Sequence, residues 1–289
     1  RVERERRLRE LIHAAVTRST WHRARLSGLD PSTVTEDTLA GVPTMTKDDL
    51  LENFDDIITD PRLRRDLVEA HLLDLREDAY LLDRYHAFAS GGSSGRRGVF
   101  VYGWDAWANC AAGILRWRVS WQRSLGLDQL VMASVSAGHA THMTAAMMST
   151  FSSPRLALHR FPVTQPLSEI VEGINDLQPD VLHGYPTVMR LLALESRAGR
   201  LRITPRRIAV GSEPLLPETR QLLAATWGVT VENVYATSEA GGVAGTCPEG
   251  LGLHLNDDLV IVEPVDTNGQ PTPVGELSAK VYLPCLYNL

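Results

Sequence analysis

The segment Asp180-Val181-Leu182-His183-Gly184-Tyr185, followed by the residues from Pro186 to Ser196, decides the fold class of this chain. The first stretch has the apolar composition of a short strand, and the second has the composition and length of a helix. The pattern repeats downstream, where Arg207–Gly211 is strand-like, Pro217–Trp227 is helical and Val229–Tyr235 is strand-like again. Strands that alternate with helices of about 10–15 residues are joined by crossovers and form a parallel sheet.

The same alternation extends toward the N-terminus. Leu130–Val135 has the composition of a buried strand, and the small residues from Ala137 to Phe151 predict a helix. Leu156–Phe161 is strand-like, and Leu167–Leu177 has the apolar spacing of an amphipathic helix. The sequence therefore predicts an α/β fold with a doubly wound, mostly parallel sheet and helices on both faces.

The two ends of the chain differ from this central part. At the N-terminus, apolar residues from Leu8 to Val16 at helical spacing predict an amphipathic helix, and Thr46 with Asp49 forms a variant of the helix capping box. Near the C-terminus, Leu259–Asp266 and Gly275–Tyr282 predict antiparallel strands. We expect an α/β core over residues 1–245 and a β-rich subdomain of the same domain over residues 246–289.

Composition limits the classes of partner. The 289 residues carry a net charge of −6, with 44% hydrophobic and 22% charged residues, which gives no reason to expect nucleic-acid binding. No apolar run reaches the roughly 18 residues that a membrane span needs, so we expect no membrane partner. Three widely separated cysteines do not form a disulfide framework, which favours a cytoplasmic, reduced protein. The composition leaves open whether the protein forms a homodimer.

Three motifs follow strands of the predicted sheet. They are His183-Gly184-Tyr185-Pro186, Gly211-Ser212-Glu213-Pro214 and Tyr235-Ala236-Thr237-Ser238-Glu239. Ligands of doubly wound sheets bind outside the carboxyl ends of the strands, so these motifs predict a binding site.

The loop from Ser90 to Gly98 allows three interpretations. Its glycines and serines are typical of a flexible surface loop, and they can also offer backbone N–H groups to phosphate oxygens. The stretch Gly91-Gly92-Ser93-Ser94-Gly95 also fits the nucleophile elbow of a serine hydrolase, with Ser93 as nucleophile. An elbow requires a helix directly after the serine, whereas Val99–Tyr102 is strand-like, so a β-hairpin loop fits better.

The loop and the last two motifs, in this order, resemble the adenylate-forming superfamily of acyl-CoA synthetases, luciferases and peptide-synthetase adenylation domains. Gly275-Glu276-Leu277 is similar to a later signature of the same superfamily. Within it the chain resembles phenylacetate–coenzyme A ligase most, on the segment around Lys47 and on Asp257-Asp258. The resemblance implies the N-terminal core of an adenylate-forming enzyme that uses ATP, Mg²⁺ and coenzyme A.

The resemblance also implies roles for individual residues. Ser238 would face the α-phosphate and Glu239 would bind Mg²⁺, which makes these two the catalytic residues. Glu213 is also open to a second role, as a charge at a helix N-terminus. The expected ATP-binding residues are Ser93, Ser94, Gly95, Gly211, Ser212, Glu213, Pro214, Tyr235, Ala236 and Thr237.

Two positions depart from the superfamily pattern. Arg96-Arg97 stand where proline and lysine are frequent, and Ala236 replaces a glycine near the acyl pocket. The extra methyl group of Ala236 bears on which acid is bound more than on adenylation. The acid pocket, at neighbouring strand ends, is expected to contain His139, His142, Gly184, Tyr185 and Ala236.

Cys247, His254 and Cys285 are candidate ligands of a structural zinc, a feature of some phenylacetate-ligase relatives. Thiolate and imidazole groups are the ligands that Zn²⁺ prefers, but the spacing is irregular and no fourth ligand is evident. A structural histidine is the ordinary role of each imidazole in the chain.

The function we expect is ATP-dependent activation of a small carboxylic acid, aromatic by resemblance, to an acyl-adenylate, followed by transfer to coenzyme A. The alternatives are an amide ligase with an amine acceptor, a non-catalytic ligand-binding relative and a serine hydrolase that uses Ser93. Superfamily members continue into a ribose-binding aspartate and a C-terminal lid domain with a lysine, which we expect to be absent from this chain.

Overall fold

The structure is a computed structural model that describes residues 1–76, 79–90, 97–151, 153–247, 249 and 252–289. The chain forms two compact units. The first unit consists of Arg1–Cys110, Ser238–Ala240 and Asn256–Leu289, and the second consists of Ala111–Thr237 and Gly241–Leu255.

The first unit begins with helices. The predicted amphipathic helix is confirmed, because Leu8, Ile12 and Ala14 are its buried residues. The predicted capping box is also present, since the Asp49 N–H donates to Thr46 Oγ1 at 3.1 Å and the Thr46 N–H donates to Asp49 Oδ2 at 2.8 Å. The helices are α1 (Val2–Arg18), α2 (Thr20–Arg25), α3 (Lys47–Glu52), α4 (Phe54–Ile57) and α5 (Arg65–Asp74), with 3₁₀ turns at Pro31–Thr33 and Glu36–Gly41.

A β-hairpin follows these helices. Strands β1 (Tyr85–Ala89) and β2 (Val99–Gly103) pair antiparallel, as predicted for the segments around the glycine-serine loop. The Ser90 N–H donates to Gly98 O and the Gly98 N–H donates to Ser90 Oγ, both at 2.9 Å, so these two residues close the base of the loop. Because a strand follows the loop, the hairpin interpretation is supported over a nucleophile elbow. Ser93, Ser94 and Gly95 lie outside the described residues.

The second unit contains the predicted sheet. The strands are β3 (Leu130–Ser136), β4 (Leu156–Pro162), β5 (Val181–Gly184), β6 (Arg207–Gly211), β7 (Val231–Thr237), β8 (Gly241–Thr246) and β9 (Leu253–Leu255). Their order is β4-β3-β5-β6-β7-β8-β9, with parallel pairing from β4 to β7 and antiparallel pairing from β7 to β9. The α/β fold with a mostly parallel sheet is confirmed.

Helices cover both faces of this sheet. They are α6 (Trp104–Leu125), α7 (Met143–Thr150), α8 (Leu167–Leu177), α9 (Pro186–Arg197) and α10 (Pro217–Trp227). On one face, Val135, Leu182 and Val210 pack in a single apolar core with residues of α8, α9 and α10. On the other face, Trp121 of α6 packs against Leu130, Met132, Val181 and Ala209. Burial of these apolar side chains on both faces is the main stabilising contribution to such a sheet.

The predicted helix over Ala137–Phe151 is wrong in its first part, because α7 begins only at Met143. Residues 137–142 form turns, since the Ala137 N–H donates to the Tyr185 hydroxyl at 3.1 Å and the His142 N–H donates to His139 O at 3.0 Å. A Cβ on Gly138 would lie 2.8 Å from Pro162 Cγ, so the backbone approaches β4 closely here.

The predicted strand over Leu259–Asp266 is mostly wrong. Within it, β10 (Glu263–Val265) pairs antiparallel to β11 (Lys280–Tyr282), which itself is shorter than the predicted Gly275–Tyr282, and Val260 forms an isolated antiparallel bridge with Cys285. The N–H groups of Leu259 and Val260 donate to Asn256 O, so this part of the chain turns. Leu259 and Val260 are buried, which explains their apolar character without a strand.

Strands β8 and β9 were not predicted. The sequence of β8, Gly241-Gly242-Val243-Ala244-Gly245-Thr246, resembles a loop in composition. A Cβ on Gly242 would lie 2.9 Å from Ile114 Cγ1, and one on Gly245 would lie 2.7 Å from Trp117 Cε2. The glycines of β8 are therefore required by the close approach of α6, a tertiary contact that local sequence does not reveal.

Candidate functional site

The carboxyl ends of three neighbouring strands define the candidate site in the second unit. Gly184 at the end of β5 pairs with Val210 of β6, and Gly211 at the end of β6 pairs with Val234 of β7. The three predicted motifs therefore begin at the same edge of one sheet. This is the edge at which parallel α/β sheets bind ligands.

Two glycines at this edge permit close backbone packing. A Cβ on Gly184 would lie 2.5 Å from Val135 O and 2.6 Å from Met189 Cε, and one on Gly211 would lie 2.8 Å from Val234 O. Such distances are incompatible with any side chain, so both positions require glycine. The structure thus explains Gly184 and Gly211 by strand packing, and their contact with a ligand stays a prediction.

The turn after β6 contains an unusual backbone conformation. Ser212 has φ of +66°, a left-handed conformation that costs a non-glycine residue about 1 kcal/mol or more. Ser212 and Pro214 are exposed. Strained residues of this kind are concentrated at ligand-binding sites, which supports a binding role for this turn.

Glu213 contacts the neighbouring helix. Its Oε2 accepts hydrogen bonds from the N–H of Thr187 at 3.1 Å and from Thr187 Oγ1 at 2.8 Å, and Thr187 lies in the first turn of α9. A carboxylate at a helix N-terminus is stabilising because the first N–H groups have no partner within the helix. Of the two roles left open for Glu213, the structure supports the helix-terminal charge directly.

The tyrosine motif begins in β7 with an irregularity of the strand. Tyr235 pairs with Ala244 but Ala236 pairs with Gly242, so a β-bulge lies between Tyr235 and Ala236. Bulges redirect side chains and are frequent next to active sites. Tyr235 is 37% exposed at the carboxyl edge of the sheet, and Ala236 and Thr237 are partly buried. An exposed aromatic ring here can stack on a nucleobase.

The backbone of the residues after β7 is held by two tyrosines of the first unit. The Tyr102 hydroxyl contacts the carbonyl oxygens of Ser238 at 3.2 Å and Glu239 at 3.0 Å, and the Tyr287 hydroxyl donates to Ala240 O at 2.9 Å. Tyr102 is fully buried and Tyr287 nearly so, and burial raises the pKa of both phenols. Glu239 itself is exposed. A fixed backbone with an exposed carboxylate fits a ligand of Mg²⁺.

The hairpin loop has a cation at its base. Lys47 Nζ lies 3.5 Å from Ser90 Oγ. An ammonium group beside a glycine-serine loop is typical of phosphate sites. Ser93, Ser94 and Gly95 lie outside the described residues, so their predicted contact with phosphates stays a prediction.

Two of the predicted acid-pocket residues, His139 and Tyr185, form hydrogen bonds within the second unit. His139 Nδ1 accepts a hydrogen bond from the Thr141 N–H at 3.2 Å, and the Tyr185 hydroxyl accepts from the Ala137 N–H at 3.1 Å. His142 immediately precedes α7, its buried Nδ1 has no hydrogen-bond partner, and burial lowers its pKa. The unpaired Nδ1 of His142 leaves this residue with unused hydrogen-bonding capacity, as the unpaired buried Nε2 does for His71.

A polar cluster beneath the same edge was missed by the sequence analysis. The Oγ of Ser134 lies 2.9 Å from His183 Nδ1 and 3.3 Å from Ser136 Oγ. Burial and the nearby Arg118 guanidinium lower the pKa of His183 to about 4, so its imidazole is neutral at physiological pH. Arg118, on α6, is only 7% exposed. The feature of the sequence that could have indicated this cluster is Arg118, a charged residue one helical turn before the apolar Trp121.

The predicted zinc ligands are only partly brought together. Cys247 Sγ lies 3.1 Å from His254 Nε2 in the second unit, whereas Cys285 belongs to the first unit. Burial raises the pKa of the Cys285 thiol to about 11, which disfavours the thiolate that a metal requires. Within the described ranges, no group of three or more His, Cys, Asp or Glu side chains is placed to hold a metal ion.

Among the residues that the structure describes, no helix combines the length and the apolar character needed to cross a bilayer.

Comparison with solved structures shows the fold. Two structures of 2-hydroxyisobutyryl-CoA ligase, one with 2-HIB-AMP and CoA and one with 2-HIB-AMP, match with TM-scores of 0.72 and 0.74 at 17% and 18% identity. Each match covers 98% of this chain but only 60% and 58% of the ligase chains. An anthranilate CoA ligase in complex with anthranoyl-AMP matches 68% of this chain and 38% of its own at 14% identity, with a TM-score of 0.50.

Comparison with sequences shows the family. No curated protein matches the chain. The profile of the AMP-binding enzyme family matches residues 89–281, which is well over half of the chain and includes the hairpin loop and the sheet motifs. The chain therefore belongs to the AMP-binding, adenylate-forming enzyme family.

Proposed function

We propose that the protein activates a carboxylic acid with Mg·ATP and transfers the acyl group to coenzyme A. The observation that carries this proposal is the segment from Tyr235 to Glu239. Within five consecutive residues it presents an exposed aromatic ring, a hydroxyl and an exposed carboxylate, on a backbone fixed by a bulge and by buried tyrosine hydroxyls. Family membership supports the reaction class.

The chemistry requires positioning more than covalent participation by the protein. One carboxylate oxygen of the acid attacks the α-phosphorus of ATP, the bond to the β-phosphate oxygen breaks, and pyrophosphate leaves with both electrons of that bond. Tyr235 would stack on the adenine, Ser238 would donate to the α-phosphate, and Glu239 would hold Mg²⁺. Bound Mg²⁺ neutralises charge on the phosphate oxygens. Fixed groups of this kind stabilise the charge that develops in the transition state.

In the second step the coenzyme A thiolate would attack the acyl carbon, and AMP would leave with the bridging oxygen. The solved 2-hydroxyisobutyryl-CoA ligase contains 2-HIB-AMP and CoA, which supports coenzyme A as the acceptor here. The resemblance to phenylacetate–coenzyme A ligase supports an aromatic acid. A boundary at residue 245 between core and subdomain and a zinc site stay predictions.

Acid-dependent exchange of pyrophosphate into ATP, measured on the full-length protein with a panel of acids, tests the proposal. Glu239→Gln should lower exchange by about 100-fold or more because it removes a charge at the metal, not packing. Glu172→Gln, an exposed carboxylate on α8, is the matched control and should leave exchange unchanged.

Each alternative has its own outcome. ATP binding without exchange for any acid would favour a ligand-binding protein, and exchange followed by transfer only to amines would favour an amide ligase. Covalent labelling of Ser93 by a fluorophosphonate would favour a hydrolase. Wild-type exchange by Glu239→Gln would contradict the role assigned to Glu239.

A further inference from the structure

The turn between β7 and β8 is held by two tyrosine hydroxyls. It consists of Ser238, Glu239 and Ala240, and Glu239 is the exposed carboxylate of the candidate site. The Tyr102 hydroxyl lies 3.2 Å from Ser238 O and 3.0 Å from Glu239 O. The Tyr287 hydroxyl donates to Ala240 O at 2.9 Å. Three successive carbonyl groups, on both sides of the Glu239 side chain, are therefore fixed by side chains from distant parts of the sequence.

Both tyrosines are suited to hold this backbone in one place. Tyr102 is fully buried and Tyr287 nearly so, and burial raises the pKa of both phenols, so both keep the proton that they donate. The Tyr102 ring lies 5.1 Å from the Phe88 ring and 6.3 Å from the Tyr287 ring, measured between centroids. Buried rings in such contact cannot change position without disturbing the packing around them. The two hydroxyls therefore have a fixed position.

The strand that carries Tyr102 also carries one end of the glycine-serine loop. Strand β2 begins at Val99, directly after Gly98, whose N–H donates to Ser90 Oγ at the base of the loop at 2.9 Å. Tyr102 is the fourth residue of β2, so about 13 Å of extended strand separates it from Gly98. Each residue of β2 is paired with a residue of β1. The base of the loop and the turn that contains Glu239 are therefore attached to one hairpin.

Tyr287 reaches the turn from a segment that is bound to the same strand. The neighbouring Asn288 donates from Nδ2 to Val101 O of β2 at 3.3 Å. The segment is also held on the preceding side, where the Leu286 N–H donates to Leu259 O at 2.9 Å. The second hydroxyl is therefore placed relative to β2, as the first is.

We propose that Tyr102 and Tyr287 are positioning residues that set the distance between the Glu239 carboxylate and the glycine-serine loop. This inference rests on the proposed function and adds two residues to it. In that function Glu239 holds Mg²⁺ and the loop binds phosphates of the same nucleotide, so the metal bridges them only if turn and loop keep a fixed separation. A displacement of about 1 Å at a reacting centre can lower the rate about 100-fold.

The test uses variants that lose a hydroxyl and keep the aromatic ring. Acid-dependent pyrophosphate exchange is measured on the full-length protein. Tyr102→Phe should lower kcat by about 30-fold and leave the KM of the acid unchanged, because the Glu239 backbone loses its donor while the ring still packs. Tyr287→Phe, which frees one carbonyl, should lower kcat by about 10-fold.

A matched control separates positioning from stability, because buried tyrosines commonly form hydrogen bonds in folded proteins. The Tyr85 hydroxyl, on β1 of the same hairpin, donates to Asp60 Oδ2 at 2.6 Å, outside the proposed site. Urea denaturation should show that Tyr85→Phe and Tyr102→Phe both lose stability, since each loses one hydrogen bond. Well below the unfolding transition, kcat of Tyr85→Phe should stay within about 2-fold of the wild-type value.

A double-mutant cycle tests whether Tyr102 acts through Glu239. In a Glu239→Gln background, Tyr102→Phe should lower kcat by less than about 5-fold, because the carboxylate that it positions is already absent. The effect of Tyr85→Phe should be the same in both backgrounds. If Tyr102→Phe fails to fold, Tyr287→Phe takes its place in the cycle.

ATP binding provides a measurement that needs no acid. Calorimetry compares the affinity for ATP in the presence of Mg²⁺ and in the presence of EDTA. The wild-type protein and Tyr85→Phe should bind ATP more tightly with Mg²⁺, because Glu239 holds the metal. Tyr102→Phe should lose most of this gain and should bind metal-free ATP as the wild-type protein does.

The outcomes separate the two proposals. Equal kcat in Tyr102→Phe and Tyr85→Phe, or a full effect of Tyr102→Phe in the Glu239→Gln background, would overturn the positioning role and leave acid activation intact. Exchange with no acid would contradict the proposed reaction. In that case a gain from Mg²⁺ that only Tyr102→Phe loses would uphold the positioning role, and an equal gain in both variants would overturn it. No binding of ATP by the wild-type protein would contradict both proposals.

Discussion

The two faces of the seven-stranded sheet use the same strands in different ways. The face toward α8, α9 and α10 is apolar along its whole length, and Val135, Leu182 and Val210 are fully buried in it. The face toward α6 packs apolar residues around Trp121, whose Nε1 donates to the buried Glu232 carboxylate at 3.0 Å, and it carries the polar Ser134, Ser136 and His183 nearer the carboxyl edge. One face therefore serves apolar packing along its length, whereas the other combines apolar packing with buried polar groups.

We infer from this difference that the candidate functional residues of the sheet lie where apolar packing is interrupted. A polar cluster under a helix costs stability, so its presence indicates a use other than folding. The two faces should accordingly respond to substitution in different ways. Changes on the apolar face should affect unfolding, and changes on the α6 face should affect binding and pH dependence.

The largest expected effect on stability is on the apolar face. Leu182→Ala removes a fully buried side chain and should lower the free energy of unfolding by about 3 kcal/mol, measured by urea denaturation. The relative rates of pyrophosphate exchange across the panel of acids should not change. Leu191→Ala, at a position 44% exposed on α9, is the control and should cost less than about 0.5 kcal/mol. A changed acid preference in Leu182→Ala would contradict the division between the faces.

A smaller, pH-dependent effect is expected on the α6 face. The pKa of His183 is about 4 in the folded protein, below its ordinary value of about 6.5, so the unfolded chain binds the proton more tightly. The stabilising contribution is therefore complete above about pH 6.5 and is lost as the pH falls toward 4. Between pH 7 and pH 4.5, the wild-type protein should lose on the order of 1–3 kcal/mol more stability than His183→Gln.

Urea denaturation of both proteins at the two pH values measures this difference, and titrating groups common to both cancel. An identical pH dependence would mean that His183 is solvated and would remove it from the buried cluster.

The smallest effect is expected at Glu213, where the two faces meet at the sheet edge. Glu213→Gln weakens the interaction with the first turn of α9 and should cost about 0.5–1 kcal/mol in the free energy of unfolding. Thermal denaturation in low salt measures it, with Glu172→Gln as control. An unchanged stability together with a raised KM for ATP would assign Glu213 to the nucleotide instead of the helix.

The sequence predicted the elements from residue 156 to residue 237 closely because burial on both sides of the sheet imposes long apolar runs. Predicted Leu167–Leu177, Arg207–Gly211 and Pro217–Trp227 coincide with α8, β6 and α10. Prediction failed where a tertiary contact decides the backbone. Gly242 and Gly245 of β8 lie against Ile114 and Trp117 of α6. The turn before α7 is held by the hydrogen bond from the Ala137 N–H to the Tyr185 hydroxyl.

The candidate site also has a part that could be predicted from the sequence and a part that could not. The motifs at the strand ends could be predicted, because their order in the chain and their position after strands are visible in the sequence. The partners of these motifs could not be predicted. Tyr102 and Tyr287 are far in sequence from the Ser238–Ala240 backbone that they hold, and Ser134 meets His183 only through the register of the sheet. Such contacts depend on three-dimensional packing, which no local pattern encodes.

The central claim is that a carboxylate of the substrate attacks the α-phosphorus of ATP. The measurement that tests it most directly uses an acid labelled with ¹⁸O in its carboxylate, turned over by the full-length protein with Mg·ATP and coenzyme A. Mass spectrometry of the products should find one ¹⁸O in AMP and none in pyrophosphate, because the bridging oxygen of the acyl-adenylate comes from the acid. Unlabelled AMP, or label in inorganic phosphate accompanied by ADP, would contradict the claim.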